Sequence, residues 1–178
     1  MQLPRRLCLL GAAAAAATLG GCGFALRQPP QFAFRSLYLQ LPEGSSLGPQ
    51  LVRALRFSPS LRVLLLPSER ASADAILEVR SEQREKIVAG LNAAGQVREF
   101  QLRLRLRFRL ITPQGRELIP DTEIALQREI GFAESAALAK EEEEALLYRD
   151  MRADMLQQIQ RRLAAVTSLQ SGSTPLER

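Results

Sequence analysis

The chain has 178 residues, 24 Lys and Arg against 19 Asp and Glu, and a formal charge of +5. It contains no His and no Trp, and only two cysteines, Cys8 and Cys22. Without His, the usual general base and a frequent metal ligand are missing. No G-x-S-x-G, Walker loop or glycine-rich dinucleotide turn occurs, so the composition argues against an enzyme and names no cofactor or metal.

The N-terminus opens with Arg5 and Arg6, then runs apolar or small from Leu7 to Leu19 and ends Leu19-Gly20-Gly21-Cys22. A membrane-spanning helix needs about 20 apolar residues, so this run fits the core of a signal peptide. Its small residues before a cysteine predict a lipoprotein leader over 1–21, cleavage before Cys22 and acylation there. A palmitate-bearing anchor with more than one chain holds stably. Cleavage removes Cys8 and acylation uses Cys22, which leaves the mature part no thiol for a disulfide. Loss of Arg5 and Arg6 lowers the charge from +5 to about +3.

Residues 22–34 read as a lipidated tether, since Pro29-Pro30 blocks a helix. Leu37, Leu39 and Leu41 alternate with polar residues, giving a strand over 36–41. Gly48-Pro49 opens a short helix with Leu51, Val52 and Leu55 on one face and Arg53 and Arg56 outward. Leu61 to Leu66 is a short buried strand closed by Pro67. Ala75 to Val88 is a strand with Leu77 and Val79 on one side and Glu78, Arg80, Glu82 and Arg84 on the other. Gly90 to Gly95 is a turn. In Gln96 to Ile111, Leu102, Leu104, Leu106, Phe108 and Leu110 line one face, and Arg103, Arg105, Arg107 and Arg109 the other. A one-residue slip would bury the guanidiniums, so this register is firmly set. Another turn at 112–115 leads to a strand over 118–132, with Ile124, Leu126 and Ile130 at even spacing. A long helix from Ala136 to about Val166 carries an apolar stripe of Tyr148, Met151, Met155, Ile159, Leu163 and Val166. Residues 168–178 form a polar tail.

The order predicts an α+β domain over 35–167, with an antiparallel or mixed four-stranded sheet and two helices packed on one face. The arginine comb reads in two ways, as the solvated face of a half-covered sheet or as a contact surface for phosphate, to which a guanidinium fork is suited. Glu78, Glu82, Glu123 and Glu129 on neighbouring strands are its candidate neutralisers. Lys140 reads either as a helix-start lysine paired with an acid four residues on or as a ligand contact. Nucleic acid is disfavoured as a partner by the leader and by the lack of aromatics among the arginines.

Leu-Gly-Gly-Cys-Gly-Phe-Ala-Leu-Arg at 19–27, Gly95-Gln96 before the long alternating strand, and Ala137-Leu138-Ala139-Lys140 followed by acids and then Tyr148-Arg149-Asp150-Met151 resemble the LptE family of lipopolysaccharide-assembly lipoproteins. The resemblance implies a sheet with two packed helices and a non-enzymatic plug for the outer-membrane β-barrel LptD. It also implies help in barrel assembly and contact with lipopolysaccharide. It assigns a lipid-anchored site on the periplasmic side of the outer membrane, for which Gly23 in place of Asp after the cysteine is suited. It marks Lys140 as a candidate lipopolysaccharide contact. The family's basic residue at the hairpin tip is replaced here by Ala93 or Ala94, which leaves Arg84, Lys86 or Arg98 as substitutes. Arg103, Arg105, Arg107 and Arg109 complete the candidate ligand contacts. A stand-alone periplasmic lipoprotein that binds lipid or cell wall is the alternative reading.

Overall fold

Alternation of leucine and arginine along one strand divides the molecule into a covered and an open face. The computed structural model describes residues 30–167 and Leu169; Cys22, its leader and the rest of the tail lie outside the described residues. The elements are β1 (Ser36–Gln40), α1 (Gly48–Arg56), β2 (Arg62–Leu64), a 3-10 segment (Pro67–Ser72), β3 (Ala75–Leu91), β4 (Val97–Ile111), β5 (Glu117–Gly131), a 3-10 turn (Glu134–Ala136) and α2 (Ala137–Ala164).

The sheet is mixed and has five strands, in the order β2-β1-β3-β4-β5. The expectation of four strands is therefore corrected to five. All five strands read from the sequence join the sheet, the short β2 pairing in parallel with β1 over Ser36↔Arg62 to Tyr38↔Leu64. Parallel pairing also joins β1 to β3, whereas β3, β4 and β5 form an antiparallel meander. Of the apolar run 61–66, only Leu61 and Leu64 are buried, and Leu65 and Leu66 are exposed. Although β1 continues to Gln40, β2 leaves the ladder after Leu64 as the chain turns into the 3-10 segment that Pro67 opens, so Leu65 and Leu66 lie past the pairing.

Both helices pack on one face, as their stripes predict. Leu51 and Leu55 of α1 are buried. Tyr148, Met151, Met155, Ile159 and Leu163 of α2 meet Leu102, Leu104, Leu106, Phe108 and Leu110 in the main core. Each such side chain contributes about 1.5–3 kcal/mol relative to exposure. The core reaches back to Phe34, which stacks on Phe32 with ring centroids 5.5 Å apart. A smaller cluster of Tyr38, Leu64, Ala73, Ile76 and Ile111 closes the other face at the β1 end.

Two carboxylates tie this end together. Asp74 Oδ2 accepts from the N–H of Arg35 and of Ser36, each at 2.9 Å, while Ser36 Oγ accepts from the Asp74 N–H at 2.9 Å. Glu82, from the middle of β3, accepts from Ser45 Oγ at 2.7 Å and from the Leu47 N–H at 3.2 Å. A negative group thereby meets the positive end of α1, which has no capping side chain at its own N-cap residue.

One irregularity decides which residues share a face. The β3–β4 register shifts between Val79 and Ser81. Arg80 is the extra residue of a β-bulge, and a bulge exchanges the faces of everything beyond it. Before it, Leu77 and Val79 face the helices; after it Glu82, Arg84 and Lys86 do, opposite Leu106, Leu104 and Leu102. Ser81, Gln83 and Glu85 join the comb face instead. The expected sidedness of β3 therefore holds only up to Val79, and Glu82 is no neutraliser of the comb.

Candidate functional site

The structure separates the candidate contacts into two groups on opposite faces. On the helix face, Lys86 and Lys140 come together at the far end of the sheet. They line a recess of about 140 Å³ with Phe100, Ile130, Phe132 and Glu144. Alternation along β3 beyond the bulge delivers Lys86, and the first turns of α2 deliver Lys140. Lys86 Nζ donates to Glu144 Oε2 at 2.7 Å and Arg84 Nη2 donates to Oε1 at 3.0 Å. Lys86 Nζ lies 4.3 Å from the centroid of the Phe100 ring, and the Arg84 guanidinium 3.8 Å from that of Tyr148. Tyr148 is itself pinned, its hydroxyl donating to the Glu85 carbonyl at 2.6 Å. Phe100 and Phe132 meet edge to face at 5.4 Å.

Burial pushes the Glu144 carboxyl up, but hydrogen bonds from Lys86 and Arg84, and then their charges, outweigh it and hold the group below its ordinary value. The carboxylate thus fixes two cations against two aromatic faces. Each ammonium has three donors, so a lysine can keep its carboxylate and still offer hydrogens to a second anion. Lys140 donates to Glu143 at 2.8 Å, a pair three residues apart rather than the expected four. Glu144 is already engaged by the neighbouring strand. Arg98 is exposed near the hairpin tip, where its carbonyl accepts from the Phe132 N–H at 2.7 Å.

The comb occupies the face away from the helices, and its four arginines differ. Arg109 Nε donates to Glu78 Oε2 at 2.7 Å. Glu78 is buried to 6 % exposure and also receives Arg70 at 3.2 Å and Arg80 at 3.7 Å. Arg107 pairs with Asp121 at 2.8 Å, a partner the sequence reading missed. Arg103 donates to Gln101 at 2.6 Å and stands opposite Glu85 and Gln127. Arg105 faces Gln83 and Ala125, and among the described residues it makes no ion pair. Of the expected neutralisers, Glu78 serves directly and Glu123 stands opposite Arg107, while Glu129 stands opposite Gln101.

The tip is closed by the Asn92 side chain, whose Oδ1 accepts from the N–H of Ala94 at 3.0 Å and of Gln96 at 2.9 Å, with Gly95 at a positive φ of 78°. Ala93 and Ala94 carry no charge there. The cations nearest in chain are Lys86 and Arg98, one on each strand. Among the described residues no group of three or more Asp, Glu, His or Cys could hold a metal ion, and no helix is long and apolar enough to cross a membrane.

The arrangement of elements is shared with known proteins. A family model described as LptE, lipopolysaccharide-assembly, matches residues 34–163, from just before β1 to the last turn of α2. The chain belongs to the LptE family. It is 27% identical over 158 residues to the LPS-assembly lipoprotein LptE of Pectobacterium atrosepticum, covering 88% of this chain and 84% of that one. The solution structure of an uncharacterized lipoprotein B from Nitrosomonas europaea superposes with a TM-score of 0.70 at 35% identity, covering 82% of this chain and 92% of that one. The rare lipoprotein B of Shewanella oneidensis shares the fold, with a TM-score of 0.59 at 24% identity over 73% of this chain and 94% of its own. In this LptE-family chain the hairpin tip is uncharged and the lysine recess lies behind it.

Proposed function

We propose that this LptE-family protein is a lipid-anchored outer-membrane lipoprotein. In this reading it plugs the lipopolysaccharide-translocating barrel LptD, helps it assemble, and contacts lipopolysaccharide on its passage to the outer leaflet. The observation that carries this reading is the extent of the family match, which spans every element from β1 to α2. A plug needs a rigid body, and the continuous core under α2 supplies one. Contact with a phosphorylated, acylated ligand needs cations beside apolar surface, and the recess offers Lys86 and Lys140 next to Phe100 and Phe132. At about 140 Å³ it accommodates a single phosphate or a few sugar hydroxyls rather than a whole glycolipid. On the other face, Arg105 offers a guanidinium with no competing carboxylate among the described residues, directed at a barrel wall or a second phosphate.

The test has two arms. Tagged chain recovered from native membranes in mild detergent should bring a large outer-membrane barrel with it, and a stand-alone lipid-binding lipoprotein would bring none. Purified Lys86→Glu/Lys140→Glu should bind lipopolysaccharide at least about tenfold more weakly, since two charge-assisted contacts of this kind are each worth ~1.5 kcal/mol or more. Arg105→Glu/Arg107→Glu should weaken lipopolysaccharide binding or barrel recovery. If the comb pair changes neither, that face is only solvated. If both pairs bind as the parent does, the ligand contact lies elsewhere.

A further inference from the structure

Phe57, immediately after α1, is 81 % exposed. A lone exposed apolar residue is ordinary, but the surroundings of this one are not. It borders two clefts. One lies between α1 and α2, has a volume of about 680 Å³, and carries Arg53, Arg149, Arg152 and Leu156 on its walls. The other, of about 430 Å³, carries Pro49, Val52, Arg53 and Arg56. Neither cleft has an acidic side chain on its walls. The sequence agrees, because no Asp or Glu occurs between Glu43 and Glu69, a stretch that holds Arg53, Arg56 and Arg62. Arg152 Nε is buried and without a hydrogen-bond partner among the described residues. An exposed aromatic ring is thus set among guanidiniums that no carboxylate answers among the described residues.

The position of the chain's entry gives this patch its occupant. Ser58 Oγ, one residue from Phe57, donates to the Pro30 carbonyl at 3.3 Å. The polypeptide therefore enters the domain beside Phe57. Cys22 lies eight residues before Pro30, and covalent geometry limits that stretch to at most roughly 29 Å. We infer that the α1 end of the domain rests on the anionic phospholipid surface that holds the anchor, with Phe57 in the headgroup layer and Arg53, Arg56 and Arg149 on lipid phosphates. The inference depends on the lipid anchor at Cys22 being real. Given that anchor, the short tether keeps the patch at high effective concentration over the bilayer, so a weak contact suffices to orient the domain. Aromatic residues favour this interfacial depth, and arginines are drawn to anionic lipid. An acidic protein segment would satisfy the guanidiniums too, but it would not explain why the tether enters at the same spot.

The chain has no tryptophan, so Phe57→Trp creates a single reporter. Purified lipoprotein carrying this substitution is reconstituted into vesicles of phosphatidylethanolamine and phosphatidylglycerol, with and without acyl-brominated lipid. Leu91→Trp, at the exposed far end of β3, serves as the control. The expected result is vesicle co-sedimentation of both variants, with a blue-shifted, bromine-quenched indole only at position 57. Adding Arg53→Glu/Arg56→Glu should lower the lipid-contacting population more than about tenfold. Co-sedimentation without quenching at 57, equal quenching at both positions, or indifference to the charge reversal would each overturn the contact while leaving the anchor intact. Absence of co-sedimentation would remove the anchor and the contact together.

Discussion

On one side of β4, Leu102, Leu104, Leu106, Phe108 and Leu110 are sealed beneath α2. On the other side of the same strand, Arg103, Arg105, Arg107 and Arg109 meet no helix, and carboxylates of the flanking strands and an amide of β4 itself answer most of them. The two faces are one residue apart in sequence and differ in how they resist perturbation. The covered face depends on shape, because packed side chains cannot relax into a void. The open face depends on charge pairing in partial contact with water, where most ion pairs contribute little. Only Glu78 departs from that rule, being a buried carboxylate ringed by Arg70, Arg80 and Arg109.

Substitution can break or sharpen this contrast. Leu106→Ala should cost about 3 kcal/mol of unfolding free energy, while Arg105→Ala on the same strand should stay within about 0.5 kcal/mol. Urea denaturation of the two variants checks this, and comparable losses would mean the faces are not energetically distinct. Glu78→Ala should fall between them at about 2 kcal/mol, since it leaves the half-buried Arg109 without its closest partner. A loss no larger than that of Arg105→Ala would make Glu78 an ordinary surface acid.

The smallest effect concerns pH and belongs to the helix face. Glu144 is held below its ordinary value of 4.5, with burial opposing and Lys86 and Arg84 prevailing. Its folded value is thus lower than its unfolded one, so its contribution is complete above the unfolded value and fades as pH falls through the folded value. Asp74, likewise held down by backbone N–H groups of Arg35 and Ser36 against the effect of burial, behaves in the same sense. Stability followed across this acid range should drop less steeply in Glu144→Gln than in the parent. Parallel curves would show that the Lys86–Glu144–Arg84 cluster does not differ between folded and unfolded chains.

Much of this architecture was legible in the residues. The Leu-Arg alternation of β4 sets its register, the stripe from Tyr148 to Leu163 gives α2 and its buried face, and Gly48-Pro49 marks the start of α1. The bulge was not legible, for a physical reason. Residues 80–86 read Arg-Ser-Glu-Gln-Arg-Glu-Lys, polar throughout, so no apolar periodicity exists there to betray an inserted residue. Everything built on that stretch moved with it. Glu82 serves the N-terminus of α1, Arg84 and Lys86 join the helix face, and the recess with Lys140 is assembled by partners the alternation alone assigned to opposite sides. The exposure of Leu65 and Leu66 was hidden as well, because an apolar run does not reveal where its chain leaves the ladder.

The bulge at Arg80 works as a single-residue hinge in the inheritance of this surface. A descendant in which Arg80 entered the ladder opposite Arg107 instead of bulging would keep its length and its hydrophobic strands recognisable, yet Lys86 would be turned outward and Glu85 inward against Tyr148. Pairwise likeness to such a protein would remain high while the far half of the hairpin presented an inverted pattern of charge. Closing that one bulge without losing a residue offers lineages a short route to exchanging ligand preference without redesigning the core.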